Sequence, residues 1–383
     1  MNDQSSLPTQ PALPSLPARL LATLTAPLDP AEATRPGVRR LADTTLLVQG
    51  SDTELVTVTG DGEEVRFPAP WPRRFGTDAV APARDLAVFA GVHALRAVAP
   101  DGTTRWEIRH GCWTGSCDVV HASYEEYAHS RDHLYPDSGS AVFSADGTLV
   151  WAHIRGPVAG SPEFPDSPDE WLVINAADGR ILGRADAQTA AAGSDHVPHP
   201  DPAQMGLSVG EGQDGVPLRW GRWDGERLSV ECLGDEERVL MAVSPSGDRL
   251  LTVAHYQEDL SLLRTGDGSV LATVAAESAL PRHPATAEEH EEHEDPTDPK
   301  ESEVHWDYEG GFLDEDTLIA GTAESDEEYG DVRHWLLDAH TLTVTGRIAY
   351  PFPPAGAPNA LGDGTWTTSS PGNTASVHLW TLA

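Results

Sequence analysis

Short apolar runs broken by Gly and Asp turns recur along the whole chain, and one unit repeats among them. It is an apolar strand, a Gly/Asp turn, a second strand ending in Trp, Leu or Val, an Asp-Gly turn and a further β run. Glu170–Ala187 (EWLVINAADGRILGRADA), Asp259–Ala276 (DLSLLRTGDGSVLATVAA) and Arg333–Tyr350 (RHWLLDAHTLTVTGRIAY) line up in this way. Asp-Gly is the favoured two-residue hairpin connection, because both central residues need φ > 0. Such turns stand at Asp61-Gly62, Asp101-Gly102, Asp178-Gly179, Asp224-Gly225 and Asp267-Gly268, with His340-Thr341 in the sixth place. A second set stands at Asp146-Gly147, Ser246-Gly247, Asp314–Asp316 and Asp363-Gly364. The steps are about 40 residues, or nearly twice that across an insertion, which is the period of a four-stranded propeller blade.

The pattern predicts an all-β fold, a single closed β-propeller of seven blades. The blades cover Arg35–Pro70, Thr77–His110, Gly139–Ala187, Gln204–Gly234, Glu237–Ala276, Val304–Tyr350 and Asn359–Ala383. The last is one strand short. Ala18–Pro27 (ARLLATLTAP) matches the outer strand SVLATVAA of the fifth blade, so the N-terminal strand is expected beside Ser376–Leu382, closing the ring without an open edge. Residues 1–17 read as a disordered tail and 18–383 as the propeller.

Certain segments resemble a known repeat. VHLWTLA near Trp380 looks like the third strand of a WD repeat, and SPSGDRLL around Ser244 and SADGTLVW around Ser144 look like its SPDG turn. The chain thus resembles the WD-repeat and quinoprotein-like propellers, although Trp-Asp is absent at the repeat positions and Trp223-Asp224 falls in a hairpin turn. The resemblance implies a propeller fold and a protein-interaction platform.

In four-stranded blades the loops between strands 2 and 3, and those between blades, share one face of the disc. The long insertions 111–138, 156–169, 188–203, 277–303 and 325–331 all belong to this class, whereas the other face carries tight turns. Function in repeat folds concentrates where insertions fall, so the binding surface is expected there, around the channel mouth.

Charge narrows the partners. The net charge is −36 and lysine occurs once, at Lys300. Such a chain repels phosphate backbones and anionic membranes, which excludes nucleic acid and favours cationic ligands, metal ions or a basic partner. The acidity also keeps a protein soluble. No apolar run reaches the roughly 18–20 residues of a membrane helix. The polar, Pro-rich start lacks the features of a secretory leader, so a cytoplasmic monomer is expected. Three cysteines, Cys112, Cys117 and Cys232, are too few for a disulfide framework.

Candidate chemistry gathers in His110–His133 (HGCWTGSCDVVHASYEEYAHSRDH). From Asp118 this reads as a short helix with Asp118 as its cap and Val120, Tyr124 and Tyr127 packing on the disc. His121, Glu125, His129 and His133 recur every four residues. Neighbours would lie about 6 Å apart along a helix axis, close enough to share a metal ion, whereas His121 and His129 would lie about 12 Å apart. The helix therefore offers two ligands, His129 with His133 or His121 with Glu125, and a third must come from elsewhere. The alternative is a surface helix whose His and Glu face water. Cys112 and Cys117 form C-x4-C after His110, which leaves three readings: a zinc pair completed by histidine, a local disulfide, or two ordinary thiols. An exposed Cys112 would also be nucleophilic.

Elsewhere, His93, His153 and His255 sit near the ends of second strands at the elaborated face, either lining the channel mouth or hydrogen-bonded inside. Arg155 could hold an anionic group, and Trp113 and Tyr124 join the binding-face candidates. His283, His290, His293 and His305 stand in a stretch with the composition of a disordered acidic loop. No phosphate loop, G-x-S-x-G elbow, H-E-x-x-H or calcium loop appears.

Two functions remain open. One is a platform that binds a protein or small ligand through the loop-rich face. The other is an enzyme using a divalent transition metal such as zinc, acting on a small molecule through the His, Glu and Cys residues of 110–133.

Overall fold

The structure, a computed structural model, describes residues 13–41, 44–115, 117–162, 164, 168–212, 215–234, 237–281, 304–322, 332–370 and 373–383. Residues 1–12 of the expected tail, the loop 325–331, most of 277–303 and its His283, His290 and His293 lie outside them. Among the described residues no helix is long and apolar enough to cross a membrane.

The fold is all-β, with antiparallel four-stranded sheets as its units. Strand β1 (Ser15–Thr25) stands apart at first. The first unit holds β2 (Gly37–Leu41), β3 (Thr44–Gly50), β4 (Glu54–Thr59) and β5 (Glu64–Pro68). The second holds β6 (Gly76–Val80), β7 (Ala87–Gly91), β8 (Ala94–Val98) and β9 (Thr104–Arg109). The third holds β10 (Ser140–Phe143), β11 (Leu149–Arg155), β12 (Asp169–Asn175) and β13 (Ile181–Asp186). The fourth holds β14 (Ser194–Pro198), β15 (Gln204–Val209), β16 (Leu218–Trp223) and β17 (Leu228–Cys232). The fifth holds β18 (Arg238–Val243), β19 (Arg249–Ala254), β20 (Asp259–Arg264) and β21 (Val270–Ala275), followed by the short helix α1 (Ala276–Ala279). These five are separate sheets. The remaining strands, β22 (Trp306–Phe312), β23 (Thr317–Thr322), β24 (His334–Asp338), β25 (Val344–Ala349), β26 (Ala355–Ala360), β27 (Thr365–Ser370) and β28 (Asn373–Leu382), join β1 in one eight-stranded sheet ordered β22-β23-β24-β25-β1-β28-β27-β26.

Burial explains the strand patterns. Second and third strands are covered on both faces, and β7 (AVFAG) is buried throughout. Outer strands alternate: in β9 only Trp106 and Ile108 are buried. This is the difference between a strand buried on both sides and one with a solvated face. Apolar clusters then join neighbouring units. Val150, Ile154 and Leu172 of the third pack on Val88 and Leu95 of the second. Val38 and Leu47 of the first unit pack on Leu361 and Val377, at the far end of the chain. There Asn359 Nδ2 also donates to Val38 O (2.9 Å), and Arg40 pairs with Asp363.

Strand β1 pairs antiparallel with β28 from Ala18↔Leu382 to Thr25↔Ser376, the partner read from the sequence. Its first residues, Ser15–Pro17, belong to the stretch read as tail. They pair parallel with Arg347–Ala349 of β25, and this second pairing merges two units. Two other expectations are corrected. Residues 188–203 are not simply an insertion, because β14 lies within them and is the inner strand of the fourth unit. Its sequence, SDHVP, has a proline and no apolar alternation, so it gave no strand signal. The turn at Asp224-Gly225 closes over two residues, Asp224 N–H bonding Arg227 O, but that at Asp178-Gly179 is wider: Asn175 N–H bonds Arg180 O and Gly179 N–H bonds Asn175 O. Gly179 does take φ 72°, and in the turn between β24 and β25 Leu342 takes φ 57°.

Candidate functional site

Each four-stranded unit is antiparallel, so its 2–3 loop and its connection to the next unit leave from the same end. These loops touch one another. Gly193 N–H donates to Ser138 O (3.3 Å), Trp306 N–H to Gln257 O (2.9 Å) and Arg333 Nη1 to Pro281 O (2.7 Å). Turns at the opposite end also meet their own kind, as in Arg249 Nη2 with Glu315 Oε2 (2.8 Å). Among the described residues eleven large apolar side chains are exposed. Seven of them, Val119, Val120, Leu134, Tyr135, Tyr256, Tyr308 and Phe352, stand at the loop end. Of the other four, Leu21 lies on β1, Val270 and Leu271 on the outer strand β21, and Leu382 at the end of β28.

The segment 111–138 is the most built-up of these loops. Trp113 N–H donates to Val92 O (3.1 Å) and Gly111 N–H to Pro157 O (3.0 Å), which fastens the segment to the second and third units. The approach needs glycine. A Cβ at Gly111 would lie 2.2 Å from Gly156 O, and one at Gly139 would lie 1.9 Å from His153 O. The expected helix from Asp118 does not form. The chain makes two three-residue 3₁₀ turns, Tyr124–Glu126 and Arg131–His133, with Ser130 capping the second. Four-residue spacing therefore no longer brings side chains together. His129 and Glu125 are exposed and stand outside the group formed by the other candidates, and Val120 faces solvent.

That group is Cys112, Cys117, His121 and His133, each offering one ligand atom within 4.8 Å of all the others. Cys112 Sγ lies 3.2 Å from His133 Nε2, and Cys117 Sγ lies 3.3 Å from His121 Nε2. His121 Nδ1 faces Glu126 Oε2 at 3.1 Å. Both cysteines are free thiols. Three of the four residues are buried, and Cys117 is half-buried. Burial pushes the Cys112 thiol up to about 11 and the His133 imidazole below its ordinary value. This Cys/His cluster has the donors to hold a metal ion.

Tyr127 ties the cluster to the second unit. Its hydroxyl lies 2.7 Å from His93 Nδ1, and its ring stacks on His133 with centroids 4.9 Å apart. Burial lowers His93 to about 4. Tyr124 packs half-buried against Phe75 and Tyr127.

The other candidates stand outside this cluster. Trp113 is buried, its ring edge-on to His153 at 5.2 Å. His153 is fully buried, 3.2 Å from Thr189 Oγ1 and 3.7 Å from Asp169 Oδ2, and desolvation lowers it to about 3. Burial raises the neighbouring Asp169 to about 7, although Arg155 Nη1 stands 3.1 Å from its Oδ1. Arg155 is thus engaged by a carboxylate. His110 is buried with Nδ1 on Gly111 O (2.7 Å) and takes no place among the four. His255 is half-buried against Tyr256, and its carbonyl accepts from the Tyr308 hydroxyl. A cavity of about 340 Å³ opens beside the cluster, lined by Cys112, Cys117, Val120, Arg155, Phe164 and Glu170. The sequence reading missed Glu126 and the pairing of each cysteine with a later histidine. The spacing C-x4-C-x3-H-x11-H was the available signal.

No protein-family model matches the chain, and no curated protein sequence matches it. Solved structures do. The β-propeller domain of Cps50 (Swd1) from Myceliophteria thermophila superposes with a TM-score of 0.54 at 9% identity, over 96% of this chain and 100% of that one. The WD40 repeats of RRP9 give 0.53 at 12%, over 94% and 100%. A chain of the mitotic checkpoint complex gives 0.53 at 10%, over 100% and 96%. At such identities the likeness speaks for the fold alone, and in fold this chain is a WD-repeat-like β-propeller.

Proposed function

We propose that the chain is a closed seven-bladed propeller that binds a protein partner through its loop-rich face. The eight-stranded sheet divides at β1 into two blades, and β1 supplies the outer strand of the last, beside β28. The cluster of Val38, Leu47, Leu361 and Val377 supports contact between the first and last blades. The carrying observation for the function is the segregation of exposed apolar side chains: seven of eleven share the loop end, and Tyr135 is 88% exposed. Exposed apolar residues gathered on one face mark interaction surfaces, and aromatic residues are enriched at such surfaces.

The partner presents apolar residues within a basic surround. The chain carries −36, and the Glu- and Asp-rich stretches 288–295 and 324–328 fall in sequence between β21 and β22 and between β23 and β24. Association with such a partner is fast and weakens with salt. A photo-crosslinking residue placed at Tyr135, Val119 or Tyr256 in cells should give discrete adducts with a basic protein, while the same residue at Asp224 or Asp267 should not. Equal adducts from both faces, or none from the loop face, would overturn the reading.

A further inference from the structure

We infer that Cys112, Cys117, His121 and His133 form a tetrahedral Cys₂His₂ zinc site that fixes the segment carrying Val119, Val120, Leu134 and Tyr135. The metal part stands on the side-chain geometry. The idea that zinc positions docking residues rests on the function proposed above.

The four donors are two thiols and two imidazoles, the set that closes structural zinc sites. With Zn–S of about 2.3 Å and Zn–N of about 2.0–2.1 Å, the edges of a tetrahedron run about 3.3–3.8 Å. The two Sγ–Nε2 separations of 3.2 and 3.3 Å stand close to that range, and no ligand pair exceeds 4.8 Å. The surroundings are also those of a metal site. Glu126 faces the far nitrogen of His121, an arrangement that fixes the tautomer and raises ligand basicity. The Tyr127 ring, itself held by His93, lies flat against His133. All four ligands come from the chain, so no coordination position is left for a substrate and the site is structural. On binding, each thiol gives up its proton to solvent and becomes a thiolate ligand.

The segment has reason to need such a tie. Its regular structure among the described residues amounts to two turns of three residues each. Its exposed apolar residues adjoin the ligands: Val119 and Val120 stand between Cys117 and His121, and Leu134 and Tyr135 directly follow His133. A metal holding those ligands holds the display of their neighbours.

Full-length protein purified without chelator should carry one zinc per chain. Cobalt in its place should show thiolate charge-transfer bands and the intense visible bands of tetrahedral coordination. Cys117→Ala and His121→Ala should lose the metal, whereas His129→Ala and Cys232→Ser should keep it. Glu126→Gln should keep the site but weaken zinc affinity about 10- to 100-fold. If the ligand variants fail to fold, the wild-type thiols give the answer: Cys112 and Cys117 should alkylate only after chelation, and exposed Cys232 in either state. A protein that takes up neither zinc nor cobalt, or that holds Cys112 and Cys117 as a disulfide, would overturn the site. So would zinc retained in His121→Ala. If zinc binds but its removal leaves crosslinking from Tyr135 unchanged, the metal site stands and its role in display falls.

Discussion

Two junctions between units are built around the same pair of side chains and finished differently. Within the eight-stranded sheet, His334 Nδ1 lies 2.7 Å from the Tyr350 hydroxyl, to which Trp366 Nε1 also donates (2.8 Å). His334 Nε2 meets Gly356 O at 3.2 Å, so both ring nitrogens have partners. Between the second and third units, His93 Nδ1 lies 2.7 Å from the Tyr127 hydroxyl. Around it His93 Nε2, His110 Nε2, Trp113 Nε1 and His133 Nδ1 have no hydrogen-bond partner among the described residues. The first junction is completed by backbone, with β1 laid between β25 and β28. The second is a meeting of side chains with metal-ligand chemistry. Polar groups that folding leaves incompletely matched are a mark of a site with another task.

The comparison breaks most sharply if β1 is removed. Trp380→Ala alone should cost about 3–5 kcal/mol, because the indole is fully buried. Deletion of residues 13–25 should cost more and abolish a single cooperative transition in thermal unfolding. Survival of a sharp transition would mean that the backbone junction is dispensable. Zinc at 100 times its dissociation constant should add about 2.7 kcal/mol of stability. In hydrogen exchange its removal should expose 111–138 and leave β1 and β28 protected. Tyr127→Phe should cost about 1–3 kcal/mol by stranding buried His93. Tyr350→Phe should cost more, since it strands both His334 and Trp366, and denaturant unfolding of the two variants tests that order.

Much of the backbone junction was legible in the sequence and little of the side-chain junction was. Apolar runs and Gly turns reported the strands because period and turn chemistry are local. The likeness of ARLLATLT to SVLATVAA even found the partner of β1. The parallel pairing of Ser15–Pro17 with β25 left no such trace, since SLP is too short to show a pattern. In 118–133 the four-residue spacing points to a helix and to His129, which stands outside the Cys/His group. Ser123 and Ser130 start separate turns there, and Tyr127 turns inward to meet His93. Contacts made by an irregular loop depend on what it packs against, which spacing does not encode.

Acid should separate the junctions further. His334 is lowered to about 3 by burial, with Arg347 adding repulsion. Its neutral form therefore stabilises the fold fully above its ordinary value of 6.5, and that contribution is lost as the pH falls from there toward about 3. His153 follows the same sign, but Asp169 beside it is raised from 3.8 to about 7, so its protonation favours the fold over the same fall. As the pH falls below 6.5, exchange protection factors should drop in β24 more than in β11. An equal drop would show that the two carboxyl and imidazole effects do not offset. The smallest effect on stability is expected from Tyr135→Ser, within about 0.5 kcal/mol, although it should remove the partner adducts.

The place of β1 also sets an order of assembly. Thr23 meets His378 across 355 positions of chain. Closing so long a loop costs about 5 kcal/mol of chain entropy before any contact returns it. During synthesis β1 leaves the ribosome long before its partner β28, so a strand made early is placed late. Until then the blades can stack from their neighbours outward, with Trp366 and Trp380 uncovered on their β1 side. A chaperone or an aggregating neighbour would therefore meet uncovered apolar surface at this joint until β1 is in place.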